Sequence, residues 1–477
     1  MRPGARLLAW ASAALPLLGG CHAVGPDYRA PDLGAPAAYR HPAPPAAETA
    51  AAPRLPDPGR WWSAFGDPGL DDLEETALAR SPTLASAAAA VAVARAQLRT
   101  SQADRLPSVT LNASAQLAGE TATQQIPIGR QTLSYRIRGQ SYEVPLDASY
   151  EFDLWGRVRR EIESSGAQLA ASEADLRSVA LTLTAQVAQT YFQWRATADQ
   201  MEIVRRTIAF RQDTVQIFDK RYRAQLIDAL DLASAREQLA DAQADLADLE
   251  RQHEEDEDAL ATLTGRPPSD LVLGRSEPLP AALPAIPAGL PADLLRRRPD
   301  LVEAERTLAA RTADVGVAQA AKYPTIKLTG SAGFESLELR TLISQPAELW
   351  GIGPSVTWPV FDGGRNDAAI AAARARVDGA VADYRGQALT AFREVEDALV
   401  DLRLQREQAL ADGRAVAAAQ ETAELSRLRY QHGLINYLDV ATAENDLLAA
   451  RNTQVQIQEA QILSTIALIK SLGGGWN

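Results

Sequence analysis

Three aspartates stand where carboxylates could act on passing ions. They are Asp228, Asp231 and Asp439, and the last lies 208 positions beyond Asp231. Asp228 and Asp231 are one helical turn apart, so a helix would set them on one face. Carboxylates gathered at a narrow opening attract cations and disfavour anions, and Arg427 or Arg429 could pair with one of them. The same acids could instead cap returning helices, where a negative charge is favoured by about 0.3–1 kcal/mol. Catalysis finds little material. His22, His41, His253 and His432 are scattered without metal-ligand spacing, and Lys220, Lys322, Lys327 and Lys470 lie in no phosphate-binding glycine loop. The acidic run 254–258 is expected to be a solvated helix face. The chain has one cysteine, Cys21, and only Met1 and Met201 as methionines. It therefore has no intramolecular disulfide, no thiolate cluster and no methionine relay for copper. Neither a metal nor a cofactor is implied, and an enzyme is not expected.

Cys21 suggests a different chemistry. Arg2 and Arg6 precede an apolar stretch, 7–18, that is too short to span a bilayer as a helix. Leu18-Gly-Gly-Cys21 then reads as a lipoprotein signal. Residues 1–20 would be removed and Cys21 acylated, at roughly 0.8 kcal/mol of membrane affinity per buried methylene. Removing Arg2 and Arg6 takes the formal charge from −13 to −15. So acidic a chain is a poor partner for nucleic acid. Residues 21–60, rich in proline and alanine, read as an extended acylated tether.

The elements that must position these groups occur twice. Asp-Leu-Trp-Gly-Arg157 and Phe-Asp-Gly-Gly-Arg365 end 208 positions apart. The same offset carries Val187 onto Val395, Tyr222 onto Tyr430, Asp231 onto Asp439 and Leu239 onto Leu447. A repeat this long is a duplicated half rather than a short solenoid unit. The copies are expected at 61–263 and 292–472. A loop-rich connection, 264–291, and a tail, 473–477, form an equatorial band.

Each copy holds two segments of strict alternation, in hairpins at about 107–154 and 324–361. Val109, Leu111, Ala113, Ala115 and Leu117 oppose Ser108, Thr110, Asn112, Ser114 and Gln116. Tyr142, Val144, Leu146, Ala148, Tyr150 and Phe152 oppose Glu143, Asp147, Ser149 and Glu151. Ile326, Leu328, Ala332 and Phe334 oppose Thr325, Lys327, Thr329 and Ser331, and Trp350, Ile352, Val356, Trp358 and Val360 alternate with glycine and hydroxyl residues. One such strand fits a soluble sheet with a wet face. Four, in a chain otherwise helical, point to a membrane barrel, apolar to lipid and polar to a lumen. Four strands close no barrel, and open edges in lipid are costly, so several chains must contribute.

The remainder is helical. Leu169, Leu176, Ala180, Leu183, Val187 and Trp194 form one coiled-coil seam; Val377, Val381, Tyr384, Ala388, Ala391, Val395, Ala398 and Leu402 form the other. Helices are expected over about 157–222 and 365–430, each reaching roughly 100 Å. Their partners follow at 229–263 and 437–472, and shorter helices precede the hairpins at 82–105 and 299–322.

In order along nearly the whole chain, several stretches resemble the TolC-like outer-membrane factors, in the lipoprotein branch that serves multidrug efflux. They are Cys21-His-Ala-Val-Gly-Pro-Asp-Tyr28, Trp61-Trp62 with Phe65-Gly-Asp-Pro-Gly-Leu70, Tyr150–Arg157, Arg297–Leu301, Phe361–Arg365, Tyr430 with Gly433 and Tyr437-Leu-Asp439, and Leu472–Trp476. The resemblance implies a homotrimer with a twelve-stranded barrel in the outer membrane of a Gram-negative cell, continuous with a periplasmic α-helical tunnel. It implies a periplasmic adaptor protein and a proton-driven inner-membrane pump as partners. It makes the chain a passive exit duct for drugs or other small toxic compounds. Asp228, Asp231 and Asp439 would then gate the inner end, and the turns bearing Tyr222, Gln225, Tyr430 and Gly433 would meet the adaptor. Two residues depart from the family pattern: Gln225 replaces a usual turn glycine, and Thr442 a usual aspartate. The duct of a protein-secretion system, or a poreless lipid-anchored coiled-coil scaffold, are the competing readings.

Overall fold

The computed structural model describes residues 23–41, 59–122, 127–128, 131–132, 135–274, 276–284, 286–287, 289 and 291–474. The signal segment, Cys21 and Trp476 lie outside them. The elements run α1 (Pro68–Arg80), α2 (Pro82–Ala103), β1 (Ser108–Leu111), β2 (Ser114–Ala122), β3 (Tyr135–Phe152), α3 (Arg157–Arg223) and α4 (Ala229–Leu263). Then come α5 (Pro291–Arg297), α6 (Pro299–Ala320), β4 (Thr325–Ser336), β5 (Glu348–Thr357), α7 (Arg365–Gln431) and α8 (Tyr437–Ser471). Helices α3 and α7 have 67 residues each, and no proline interrupts either. No single helix among the described residues is long and apolar enough to cross a membrane.

The chain divides into two compact units. The first comprises the described parts of Met1–Pro31, Ala92–Ala171 and Glu305–Asp383. Its centre is one antiparallel sheet in the order β1 and β2, β3, β4, β5. The two hairpins therefore join edge to edge through β3 and β4, from Tyr142 opposite Ser336 to Phe152 opposite Ile326. Polarity is preserved across the central registers and breaks toward one end, where Phe334 faces Glu348 and Tyr142 faces Ser336. Leu111, Leu146, Ala332 and Trp350 form one transverse row, and Val109, Ala148, Gly330 and Ile352 another. On the opposite face run Thr110, Asp147, Ser331 and Gly351. Because side chains alternate with period two, a slip of one residue would mix the faces. Leu111, Leu117, Trp350, Ile352 and Val356 are all exposed in the single chain. Among the described residues the outer strands β1, β2 and β5 leave both edges open.

In the same unit the start of the expected tether is docked rather than free. The Val24 N–H donates to the Trp155 carbonyl at 2.9 Å. The buried Arg160 guanidinium donates to the carbonyls of Val24 and Gly25, at 3.2 and 3.3 Å, and pairs with Asp27 at 2.7 Å. This segment passes so close to α6 that a Cβ on Gly25 would lie 2.5 Å from the Gly316 Cα. Proline and alanine content suggested a loose chain, but side chains elsewhere supply the partners for its backbone.

The second unit comprises the described parts of Asp32–Val91, Ser172–Ala304 and Tyr384–Asn477. Its core joins Trp61, Trp62 and Leu70 to Phe192, Leu260, Leu399, Ile462, Ile466 and Ile469, all nearly inaccessible. Each large side chain so buried contributes roughly 1.5–3 kcal/mol. Val187 and Val395, equivalent in the repeat, are both fully buried on the two seams. Here too the tether is fixed: the Arg40 and His41 N–H groups donate to the Glu396 carboxylate at 2.6 and 3.0 Å. Helices α1 and α5 were not expected. Asp67 starts α1, accepting from the Gly69 and Leu70 N–H groups at 2.9 and 3.2 Å. The acidic run is not wholly solvated either. Asp256 is half-buried, and burial, reinforced by Glu255, pushes its carboxyl up to about 6. Glu459 on α8 is raised as well, by burial first and then by Asp256.

Candidate functional site

The named acids and turn residues assemble in the second unit, where α3 turns into α4 and α7 into α8. The turns are built alike. The Gln225 N–H donates to the Tyr222 carbonyl at 2.9 Å and the Leu226 N–H to the Arg221 carbonyl at 2.9 Å. At the second turn the Gly433 N–H donates to Tyr430 at 2.9 Å and the Leu434 N–H to Arg429 at 3.0 Å. These bonds satisfy carbonyls left over at the helix ends and place one residue in the left-handed region. That residue is Gly433, φ 71°, in the second turn, and Gln225, φ 57°, in the first.

The returning helices begin differently. Asp228 is the N-cap of α4, its carboxylate accepting from the Leu230 N–H at 2.9 Å and the Asp231 N–H at 3.1 Å. Asn436 caps α8 through a reciprocal box. Its amide oxygen accepts from the Asp439 N–H at 3.0 Å, and Asp439 accepts from the Asn436 N–H at 3.3 Å. Asp228 and Asp439 are thus both engaged in capping. Asp231 is held above the usual carboxylate range, by burial first and then by Asp228.

Beneath the turns, Phe218, Leu232, Ala235, Tyr437, Val440 and Ala441 form a small core, with Ile227, Tyr430 and Ile435 packed against it. Phe218 meets Tyr437 edge-on at 4.5 Å. Burial raises the Tyr430 phenol and pushes Tyr437 up to about 12. Tyr222 faces outward. The apolar surface beyond is open: Leu226, Leu230, Leu434 and Leu438 are 73%, 70%, 67% and 64% exposed. They are two repeat-related pairs.

A polar layer below this core was not foreseen. Arg211 is 5% exposed and donates to the Gln238 carbonyl at 2.5 Å and to Asn445. Burial pulls its guanidinium down. Arg427 bonds Glu444 and lies 4.6 Å over the Phe210 ring, so it is engaged away from the tip acids. The signal for Arg211 was present: Val204, Ile208, Arg211, Val215 and Phe218 follow the 4-3 seam, with a cation in an apolar place. Among the described residues no His, Cys, Asp or Glu cluster is arranged to hold a metal.

An antiparallel sheet with one lipid-like face, set in a chain of long seamed helices with paired turns, defines an outer-membrane channel protein. The chain belongs to the outer membrane efflux protein family, which it matches over residues 73–266 and 290–474. It is 34% identical over 450 residues to the outer membrane protein OprJ of Pseudomonas aeruginosa, covering 92% of each chain. It is 33% identical to the antibiotic efflux pump outer membrane protein ArpC of Pseudomonas putida, covering 96% of this chain and 94% of that one. It is 32% identical to the cation efflux system protein CusC of Escherichia coli, over 87% and 88%. Among solved structures it resembles the outer-membrane channel OprN, with a TM-score of 0.84 at 34% identity over 95% and 99% of the chains. It resembles the CmeC channel of Campylobacter jejuni with a TM-score of 0.83 at 25% identity, over 95% of each. The fold is that of the TolC-like channels, a barrel part with a helical tunnel, and the protein is an outer-membrane efflux component of a Gram-negative cell.

Proposed function

We propose that three copies close a twelve-stranded barrel and a twelve-helix tunnel that serves as the passive exit duct of a tripartite pump for drugs or other small toxic compounds. The open sheet carries this reading: its faces sort apolar from polar across the central registers, while among the described residues both edges remain unpaired. Neighbouring copies supply the missing partners, since unpaired backbone in lipid is costly. Energy enters through an inner-membrane pump, proton-driven, and a periplasmic adaptor that meets the turns at Tyr222, Gln225, Tyr430 and Gly433. Asp228, Asp231 and Asp439 from three chains ring the narrow inner end, and Asp228 and Asp439 cap their helices at the same time. Acylated Cys21 adds a lipid anchor, and residues 1–20 are removed.

The barrel is tested by exchanging neighbours on β4. Leu328→Arg puts a charge on the lipid face, at a cost of about 2–4 kcal/mol near the bilayer midplane, and is expected to abolish heat-resistant trimers in outer-membrane fractions. Lys327→Gln, on the lumen face, is expected to leave trimers and efflux of a fluorescent dye intact. Equal damage from both would refute the faces. Mass spectrometry of the mature N-terminus tests the anchor, and an unmodified Cys21 would refute it.

A further inference from the structure

We propose that Gln225 determines the specificity of the docking surface, its side-chain amide reading a hydrogen-bonding group on the adaptor beside an apolar side chain seated on Leu226 and Leu230. The inference rests on the docking reading given above. Among the described residues Gln225 is the only non-glycine residue with a positive φ, 57°. Its repeat equivalent is Gly433, held by matching hydrogen bonds. A side chain in the left-handed conformation carries a cost that glycine avoids. The Gln225 side chain is exposed, so its amide is open to a partner. Non-glycine residues in this conformation collect at binding sites, which points to a function outside the chain.

The surroundings say what kind of function. Leu226 and Leu230 flank Gln225 and are largely exposed, as are their equivalents Leu434 and Leu438 beside Gly433. The apolar part of the surface is thus common to both turns, and the amide belongs to the first alone. A primary amide offers two donors and an acceptor without net charge. Its fitting partner is a polypeptide surface with a peptide-like or polar group next to an apolar residue. Apolar contact discriminates weakly between partners, whereas a hydrogen-bonding group left unmatched in an interface rejects them strongly.

The test uses the full-length trimer in detergent and, as probe, the purified periplasmic adaptor encoded with the host's own pump. Gln225→Gly is expected to weaken adaptor binding about tenfold, the equivalent of about 1.4 kcal/mol, without lowering the Tm of the channel. Unchanged affinity overturns the proposal. So does a lowered Tm, which would give Gln225 an intramolecular role. Leu226→Asp combined with Leu434→Asp separates the two readings. If that variant loses binding while Gln225→Gly retains it, docking stands and the role of Gln225 falls. If neither loses binding, the docking reading itself fails.

Discussion

The two helical turns share one backbone and the same apolar side chains, and they differ at the left-handed residue and at the cap. Both close with the same pair of hydrogen bonds and one left-handed residue. The second turn uses Gly433 and a reciprocal Asn436–Asp439 box; the first uses Gln225 and a single cap, Asp228. Duplication preserved the geometry, which the chain needs in order to reverse, and left side chains free to diverge where the geometry does not depend on them. The second turn is therefore the better built in local terms. The first carries strain and an exposed amide, and strain of that kind collects at binding sites.

The largest effect is expected from the residue the two turns share. Phe218 packs on Tyr430 and Tyr437 of the other copy, and its own repeat position is Ser426. Phe218→Ala should cost about 3–5 kcal/mol, and hydrogen exchange should quicken in both turns. Faster exchange confined to the first turn would show the two to be independent.

Next come the caps. Asn436→Ala removes one half of a reciprocal box and should cost up to about 2 kcal/mol, against about 1 kcal/mol for Asp228→Ala. Hydrogen exchange at the first turns of α8 and α4 reads the difference, and equal losses would remove the contrast between the turns. A smaller effect on stability, a few tenths of a kcal/mol, is expected from Asp231→Asn with Asp439→Asn. Single-channel recording should show raised resting conductance or reduced cation preference. Unchanged conductance with frayed helix ends would leave only the capping role.

The smallest effect concerns Asp256 on α4 and Glu459 on α8, a carboxyl pair that spans the copies. Asp256 is raised to about 6, above its unfolded value. The folded state therefore holds the extra proton between the unfolded pKa and about 6. The resulting stabilisation is full below the unfolded pKa and lost as pH rises through 6. Melting followed by circular dichroism should show Tm rising on acidification from pH 7 to 5. Asp256→Asn should flatten that rise, and an unaltered slope would refute the assignment.

Much of this was legible in the residues. The strands overlap the segments where the alternation was read, although β5 stops at Thr357, before Trp358 and Val360, and the first segment is broken between Leu111 and Ser114; α3 and α7 end within a residue of the expected positions. Gly433 marked its turn. Gln225 marked the other only through the repeat, because no local rule selects glutamine for a left-handed position. Arg211 was missed because a seam arginine looks like an interruption until Gln238 and Asn445 appear beside it. The docking of the tether from Val24 to Asp27 was missed because composition reports which groups a segment lacks and says nothing of those another element lends it.

Local periodicity is what the amino-acid order determined by itself: period two in the sheet segments, the 4-3 seams, and the duplication that ties them together. Each follows from side-chain direction along a single element. Tertiary structure decided the partners. It joined β3 to β4 across the two copies, set Arg160 on the tether, brought Asp256 near enough to Glu459 to raise that carboxyl and gave the two turns one shared core. These are contacts between residues up to more than 200 positions apart, and no repeat read along one stretch of chain encodes which distant stretch will lie beside it.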